Sequence, residues 1–447
     1  MLRRVILILL LAGAPAFAQP DRADRLIQQL GSPVFAEREE AMKALDALGA
    51  AALDALKKAA KHPDAETRRR AEDLVGRIER RLESARVLAP SKHIIRYQDI
   101  PLLDAVNDIA KKGGLSITVH GDLAKLKNKT LTLDRAETEF WPAFELFCRQ
   151  AGLVEAPSVE MPLALKLPPQ LQRPQAPPVL LPRGQFVLIE GNATDMPTCY
   201  SGAARIRALP PGTVREGPGQ VVCTLGVAVE NGLELLRVTG VRVDKAIDDL
   251  GQPLAAVVLI GGDPTVGQPP VIIENVGGKP QARLATPGQY QVPVRLSSGP
   301  KPSTKLTELA GALHAELRTR PEPVMIVDNV LKAAGQKVAG KAGGWLLVQQ
   351  LTRGDDGVIA IRMEILTGAN SRPGAGPSLG LTLLNDKGQS LPQAAAPTWS
   401  VLVVDGNTIH QVTARFKAMG EPARLVYSDT RVVSLEVPFA FKDVPVK

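Results

Sequence analysis

The chain has 447 residues, with 54 Lys and Arg, 46 Asp and Glu, three Cys, nine Phe, four Tyr and three Trp. A length of this order corresponds to about three domains of ordinary size. The 45% apolar fraction excludes wholesale disorder, three Cys exclude a disulfide-dense scaffold, and so few aromatics argue against an outer-membrane barrel with its aromatic girdles.

Residues 1–18 read as a secretory signal peptide. Arg3 and Arg4 form a basic start, Val5 to Leu11 is an unbroken apolar run, and Ala16-Phe17-Ala18 is a small-x-small cleavage site. The run is too short for a bilayer, which takes about 20 residues. The expected location is the periplasm, the cell surface or the exterior, with no integral membrane span after cleavage. Losing Arg3 and Arg4 takes two from the formal charge of +8. Most of the remainder is spread over residues 156–447, with 29 basic against 24 acidic side chains, so no focused basic field points to nucleic acid.

Residues 19–89 carry a repeat of 30. Pro33, Arg38 and Ala41 return as Pro63, Arg68 and Ala71. Between them, Leu53, Leu56 and Ala60 mark one face of a helix over 50–61. Ser32-Pro33 and His62-Pro63-Asp64 are helix starts, and Gly31 and Gly49 are stops. Arg38-x-x-Ala41 and Asp64-x-x-Thr67-Arg68-x-x-Ala71 resemble HEAT repeats, which implies a short α-solenoid with a protein-binding surface. Arg68-Arg69-Arg70 fans around its helix beside Glu66, Glu72 and Asp73, so it reads as a solvated face.

Residues 90–155 read as a small βαββα domain. Ile94 to Tyr97 is a strand, and Ile100-Pro101-Leu102 opens a helix with Leu103, Val106 and Ala110 as its buried stripe. Gly113-Gly114 stops that helix. Leu115 to Val119 and Thr130 to Leu133 alternate as strands. Phe140, Phe144 and Phe147 then line a closing helix as core, with Cys148 a buried thiol beside them. Tyr97-x-Asp99-x-Pro101-Leu102-x-x-Ala105-x-x-x-Ile109-Ala110, Gly114-Leu115-x-Ile117 and Leu131-x-Leu133 resemble the short N-terminal domain of secretins and TonB-dependent receptors. That resemblance implies contact with an envelope protein. It implies no pore, because the rest of the chain lacks long barrel strands.

Residues 156–182 hold eight prolines and read as an extended linker. Residues 183–298 and 304–447 alternate in short apolar runs, punctuated by turns such as Asp355-Asp356-Gly357, Asp386-Lys387-Gly388 and Asp405-Gly406. This pattern predicts two β-sandwiches. Asp249-Leu250-Gly251-Gln252 recurs as Asp386-Lys387-Gly388-Gln389, and Val292-Pro293-Val294 as Val437-Pro438-Phe439. These marks suggest a duplicated immunoglobulin-like unit, with Pro293 and Pro438 on edge strands. Cys199 and Cys223 form a candidate disulfide if the chain is exported.

The expected fold class is therefore multidomain α+β: a short HEAT-like solenoid, a βαββα domain and two C-terminal β-sandwiches. No catalytic residue, cofactor site or metal site is predicted. His62, His93, His120, His314 and His410 lack metal-ligand spacing, and no nucleophile elbow, zincin, P-loop or dinucleotide motif occurs. The Asp248-Asp249 and Asp355-Asp356 pairs and Gly261-Gly262 and Gly277-Gly278 read as turns. The first expectation is a non-catalytic envelope or secreted scaffold that binds protein. The alternatives are an accessory subunit of a secretion or uptake complex, and a carbohydrate-active or other hydrolase with its site in the β loops.

Overall fold

The computed structural model describes residues 19–155, 158–161, 185–191, 196–211, 219–257, 271–276, 279–285, 290–341, 343–354, 357–367, 380–404 and 407–446. The architecture is mixed α+β, and the chain divides into two compact units, Met1–Ala89 and Pro90–Lys447. The proposed signal peptide and nearly all of the proline-rich segment lie outside the described residues, as do Gly261-Gly262, Gly277-Gly278, Asp355-Asp356 and Asp405-Gly406. Among the described residues, no helix is long and apolar enough to cross a membrane.

The first unit is helical: α1 (Gln19–Leu30), α2 (Phe35–Leu48), α3 (Leu53–Ala59) and α4 (Ala65–Val87). Its core is built on Leu30, Leu45, Leu56, Leu74 and Ile78. The two repeated arginines have a shared job. Arg38 donates from Nη1 to the carbonyls of Ser32 (2.7 Å) and Pro33 (3.0 Å), and Arg68 donates to His62 (2.9 Å). Each ties down the loop that precedes its own helix. Asp64 caps α4 as expected, accepting from the Thr67 N–H and hydroxyl, both at 2.7 Å. Ser32 does not cap α2. Val34 stands at the cap position without a side-chain bond, and the Ser32 hydroxyl accepts from the Val34 N–H at 3.1 Å. The stripe predicted over 50–61 is shifted too: Ala52, Leu56 and Ala59 are buried, while Leu53 and Ala60 are half-buried. A tighter 3₁₀ turn over Gly49–Ala52 changes the phase of α3 after it.

The second unit begins with β1 (Lys92–Pro101), α5 (Leu102–Gly113), β2 (Ser116–His120), α6 (Leu123–Lys127), β3 (Thr130–Glu139), α7 (Phe140–Ala151) and β4 (Leu153–Glu155). Gly114 and Gly152 end α5 and α7 with φ of 58° and 65°, a conformation that costs glycine nothing. Phe140, Phe144 and Phe147 are fully buried. The α5 stripe is rotated from the expected one: Leu102, Ala105, Val106 and Ile109 are buried, and Leu103 and Ala110 only partly. β1 and β3 pair antiparallel. After β5 (Ser158–Met161) comes β6 (Gln185–Glu190), which lies between β2 and β4, parallel to the first and antiparallel to the second. Phe186 and Leu188 thus complete the core of the α/β module, although sequence order groups them with the β-rich region.

The β-rich region continues through β7 (Thr198–Ser201), β8 (Ala204–Ala208), β9 (Gln220–Val229), β10 (Glu234–Asp248), β11 (Val271–Val276), β12 (Lys279–Ala285), β13 (Tyr290–Ser297), β14 (Lys305–Arg318) and β15 (Glu322–Asp328). It ends with β16 (Lys337–Ala339), β17 (Trp345–Arg353), β18 (Val358–Leu366), β19 (Leu381–Asn385), β20 (Ser390–Leu391), β21 (Gln393–Val404), β22 (Asn407–Lys417), β23 (Pro422–Asp429) and β24 (Val432–Pro445). The sheet orders are β13-β9-β8-β7, β10-β14-β24, β11-β12-β5, β15-β23-β19-β20 and β16-β17-β18-β22-β21. The last two sheets share one core, with Val327, Leu383 and Leu425 from the first and Val348, Ile361, Val412 and Phe416 from the second.

A long ribbon links these layers. β14 pairs with β24, and β15, its continuation, pairs with β23. At the join, the Thr319 N–H donates to the Arg431 carbonyl (2.8 Å) and the Arg431 N–H to the Thr319 hydroxyl (3.1 Å). β10 runs along the other side of β14, so ladder hydrogen bonds cross the boundary that sequence places between residues 298 and 304.

The repeated Gly-Gln turn is one structure built twice. Asp248 Oδ1 accepts from the N–H of Leu250 (3.0 Å) and Gln252 (2.7 Å). Asn385 Oδ1 accepts from Lys387 (3.1 Å) and Gln389 (2.8 Å). Gly251 and Gly388 take the required positive φ of 76° and 74°. The second sequence mark is not equivalent in place: Pro293 sits on β13 and Pro438 on β24, in different sheets. Both strands are edges among the described residues, where a missing N–H is harmless.

Candidate functional site

The residues that could carry chemistry are dispersed or already engaged. Among the described residues, no group of three or more His, Cys, Asp or Glu is gathered to hold a metal ion. His93 lies edge-on to Phe140, with ring centroids 5.6 Å apart, and its burial lowers its pKa. His314 Nδ1 stands 3.8 Å from Glu436. His410 packs at 5.9 Å against Trp399, and burial lowers its pKa as well. The Asp248-Asp249 pair serves turns: Asp248 organises the Gly251 turn, and Asp249 accepts from the N–H (3.2 Å) and hydroxyl (2.7 Å) of Thr304. In the arginine run, Arg70 is nearly buried on Glu66 (2.7 Å) and Glu39 (3.2 Å), whereas Arg69 is largely exposed.

The densest polar cluster joins the α/β module to the four-stranded β sheet. Arg205, on β8, has no exposed surface and grips Glu155 of β4 with both Nη atoms, at 2.6 and 2.9 Å. Arg207 reaches Glu145 of α7 at 2.9 Å and Glu155 at 3.0 Å. Trp141 supplies the floor, and its indole N–H donates to the Ala203 carbonyl at 3.1 Å. These charges are paired with one another inside the protein, so the cluster holds the two layers together. Cys148 lies against it, its thiol pKa pushed well above normal by burial and then by Glu155.

Near the same junction is a cleft of about 260 Å³, lined by Leu115, Phe186, Leu233, Leu235 and Tyr290 together with Glu230. The Glu230 Oε2 accepts from the Ser91 N–H (2.8 Å) and from Arg320 (3.1 Å). This carboxylate pins the start of β1 and belongs to the architecture.

One surface does stand out. β21 is the outermost strand of the five-stranded sheet. Its first half is irregular, with register shifts between Gln393 and Ala395 and between Ala395 and Thr398. From Thr398 to Val404 it is regular, and it exposes Trp399 (46%), Val401 (49%), Leu402 (44%), Val403 (67%) and Val404 (41%). Trp399 and Val401 lie opposite the buried Val412 and His410 of β22, so they share the core-facing side of the sheet. On that side the facing sheet, among the described residues, ends in the two-residue β20. No charged residue occurs from 393 to 404. The opposite edge, β16, is three residues long and carries Lys337, whose ammonium lies 3.9 Å over the Trp345 ring. Short strands and lysines are how sheets protect their edges, and residues 398–404 have neither. Sequence reasoning placed a strand over 400–404 but gave no sign of its exposure, since an unbroken apolar run reads as buried.

The candidate disulfide is not formed. Cys148, Cys199 and Cys223 are all free thiols. Cys199 pairs with Ile206 on β8, Ile206 pairs with Val227 on β9, and Cys223 lies four residues along that strand. Two strand spacings and four residues separate the pair by well over the roughly 7 Å between Cα atoms that a disulfide tolerates.

No family model matches the chain, and no curated protein or solved structure matches it either.

Proposed function

We propose that this chain is a non-catalytic scaffold of the bacterial envelope or exterior that works by binding protein. The observation that carries the reading is the apolar, uncharged edge of β21, which has no further strand beside it among the described residues and carries exposed Trp399 and Val401–Val404. An added strand pairs with that edge and covers the side chains, which is the general mode of β-augmentation. The leader-like residues 1–18 support export. Residues 19–89, read as a short HEAT-like array, and residues 90–155, read as the secretin/TonB-type module, add two further interaction modules. Residues 183–298 and 304–447 are read as immunoglobulin-like β-sandwiches, and the second carries the β21 edge.

The test is in-cell crosslinking with mass spectrometry, comparing the natural chain with a Val401→Lys/Val403→Lys variant. Contacts mapped to residues 398–404 in the natural chain and absent from the variant support the reading. Identical crosslink maps overturn it.

A further inference from the structure

We propose that two copies of this chain pair antiparallel through β21, about a twofold axis at Val401. The proposal rests on the interaction reading above and names the occupant of that edge.

A symmetric interface brings each residue near the axis close to its own copy, so any charge there meets a like charge. Residues 393–404 contain none. The regular stretch, 398–404, has Val401 at its centre, and pairing about that residue keeps every side chain on its own face of the sheet. Trp399 then lies opposite Val403 of the other copy, an aromatic–β-branched pair, and Val401 lies opposite itself. Ser400 lies opposite Leu402. Covering the exposed parts of these side chains removes on the order of 400 Å² per copy, given roughly 150–250 Å² for a whole aromatic side chain. That is about 800 Å² for the pair, below the roughly 1,200–2,000 Å² that stable specific interfaces bury in total, and implies a weak, reversible dimer. The two five-stranded sheets become one sheet of ten, and both exposed edges disappear.

Sedimentation velocity on the chain from about 1 to 100 μM spans the expected range of dissociation constants. The expected result is a monomer–dimer equilibrium that Val401→Lys weakens at least tenfold. Val401 is half exposed, so the lysine has room in the monomer, and an unchanged circular dichroism melt verifies that it folds. A Val401→Cys/Cys199→Ser variant is expected to form an interchain disulfide under mild oxidation, since pairing about residue 401 sets the two thiols face to face. A monomer at every concentration overturns self-pairing, as does a dimer that Val401→Lys leaves intact. A monomer whose residues 398–404 still crosslink to another protein in cells overturns only the self-pairing and leaves the broader interaction reading standing.

Discussion

The guanidinium carbon of Arg205 sits 4.3 Å from the centroid of the Trp141 ring, stacked on the indole while its Nη atoms hold Glu155. This contact locks α7 and β4 to β8. Stranding one member of a buried ion pair costs about 3–5 kcal/mol, and without Arg205 the Glu155 carboxylate keeps only Arg207, at 3.0 Å, so most but not all of that cost is expected. Arg205→Ala is therefore expected to lower the urea midpoint strongly. Arg207→Ala is expected to cost less, because Glu155 keeps its bidentate partner. Urea unfolding followed by Trp fluorescence checks the order. An Arg207→Ala variant weaker than Arg205→Ala would show that the stacked arginine is not the anchor.

The three thiols should react at different rates. Burial pushes the Cys223 thiol up to about 12, and Cys148 is raised still further. Cys199 is partly exposed. Alkylation of the native chain near neutral pH should label Cys199 first and leave Cys148 and Cys223 unmodified until urea opens the fold. Peptide mapping reads the order directly. Fast labelling of Cys223 in the native state would contradict its place inside β9.

The same buried groups make the fold sensitive to alkali. A thiol held neutral in the fold but ionising near 9 once unfolded contributes full stability below that pH. As pH rises from about 9 to about 12, the unfolded chain loses its proton first and stability falls. Tyr97, Tyr200 and Tyr427 act in the same direction, each raised chiefly by burial. Thermal melts should therefore drop steadily above pH 9. Cys223→Ala should soften that decline even though it costs packing at neutral pH.

Sequence was informative wherever a local rule sets the structure. Gly114 and Gly152 were legible as helix stops because a positive φ is nearly a glycine monopoly, and Phe140, Phe144 and Phe147 because three rings on one helical face must be buried. The stripe on α5 was misphased, because the helix begins at Leu102 and turns Leu103 partly outward. Long-range pairing was not legible. Nothing in Phe186-Val187-Leu188-Ile189 states that it will run beside Ser116–His120, nor that β10 will run beside β14. The candidate site escaped for a related reason. Val401–Val404 has the composition of a buried strand, yet it lies at the margin of its sheet, with Val401 and Val403 on the core-facing side and Leu402 and Val404 on the other, all exposed.

The paired turns allow an ordered comparison. Asp248 is buried and holds two backbone N–H groups and the Gln252 amide. Asp248→Ala orphans those donors, at about 1–3 kcal/mol. Asp248→Asn should cost less, since its Oδ1 can keep both backbone N–H bonds, as Asn385 does in the second turn, and it loses only the bond from the Gln252 amide, which Lys301 holds in place. Urea midpoints for the two variants give the order. Equal losses would mean that the negative charge, rather than the hydrogen-bonding shape, is what the first turn requires.

The central ribbon should be intolerant at Gly311. A Cβ there would lie 2.0 Å from the Arg242 carbonyl and 3.0 Å from the Phe439 ring, so β10 must shift away from β14 before even alanine fits. A backbone oxygen cannot rotate aside as a side-chain end can, and overpacking of this kind costs about 1–3 kcal/mol or more. Gly240, on the adjoining strand, has only the His314 ring within reach, at 3.8 Å. Gly311→Ala is therefore expected to reduce soluble yield and melting temperature, while Gly240→Ala leaves both close to the natural chain. The contrast isolates the cause. Both positions exchange glycine for alanine within paired strands, so loss at Gly311 alone assigns the effect to the close approach of β10 and β14, whereas equal loss at both would assign it to the general cost of the substitution.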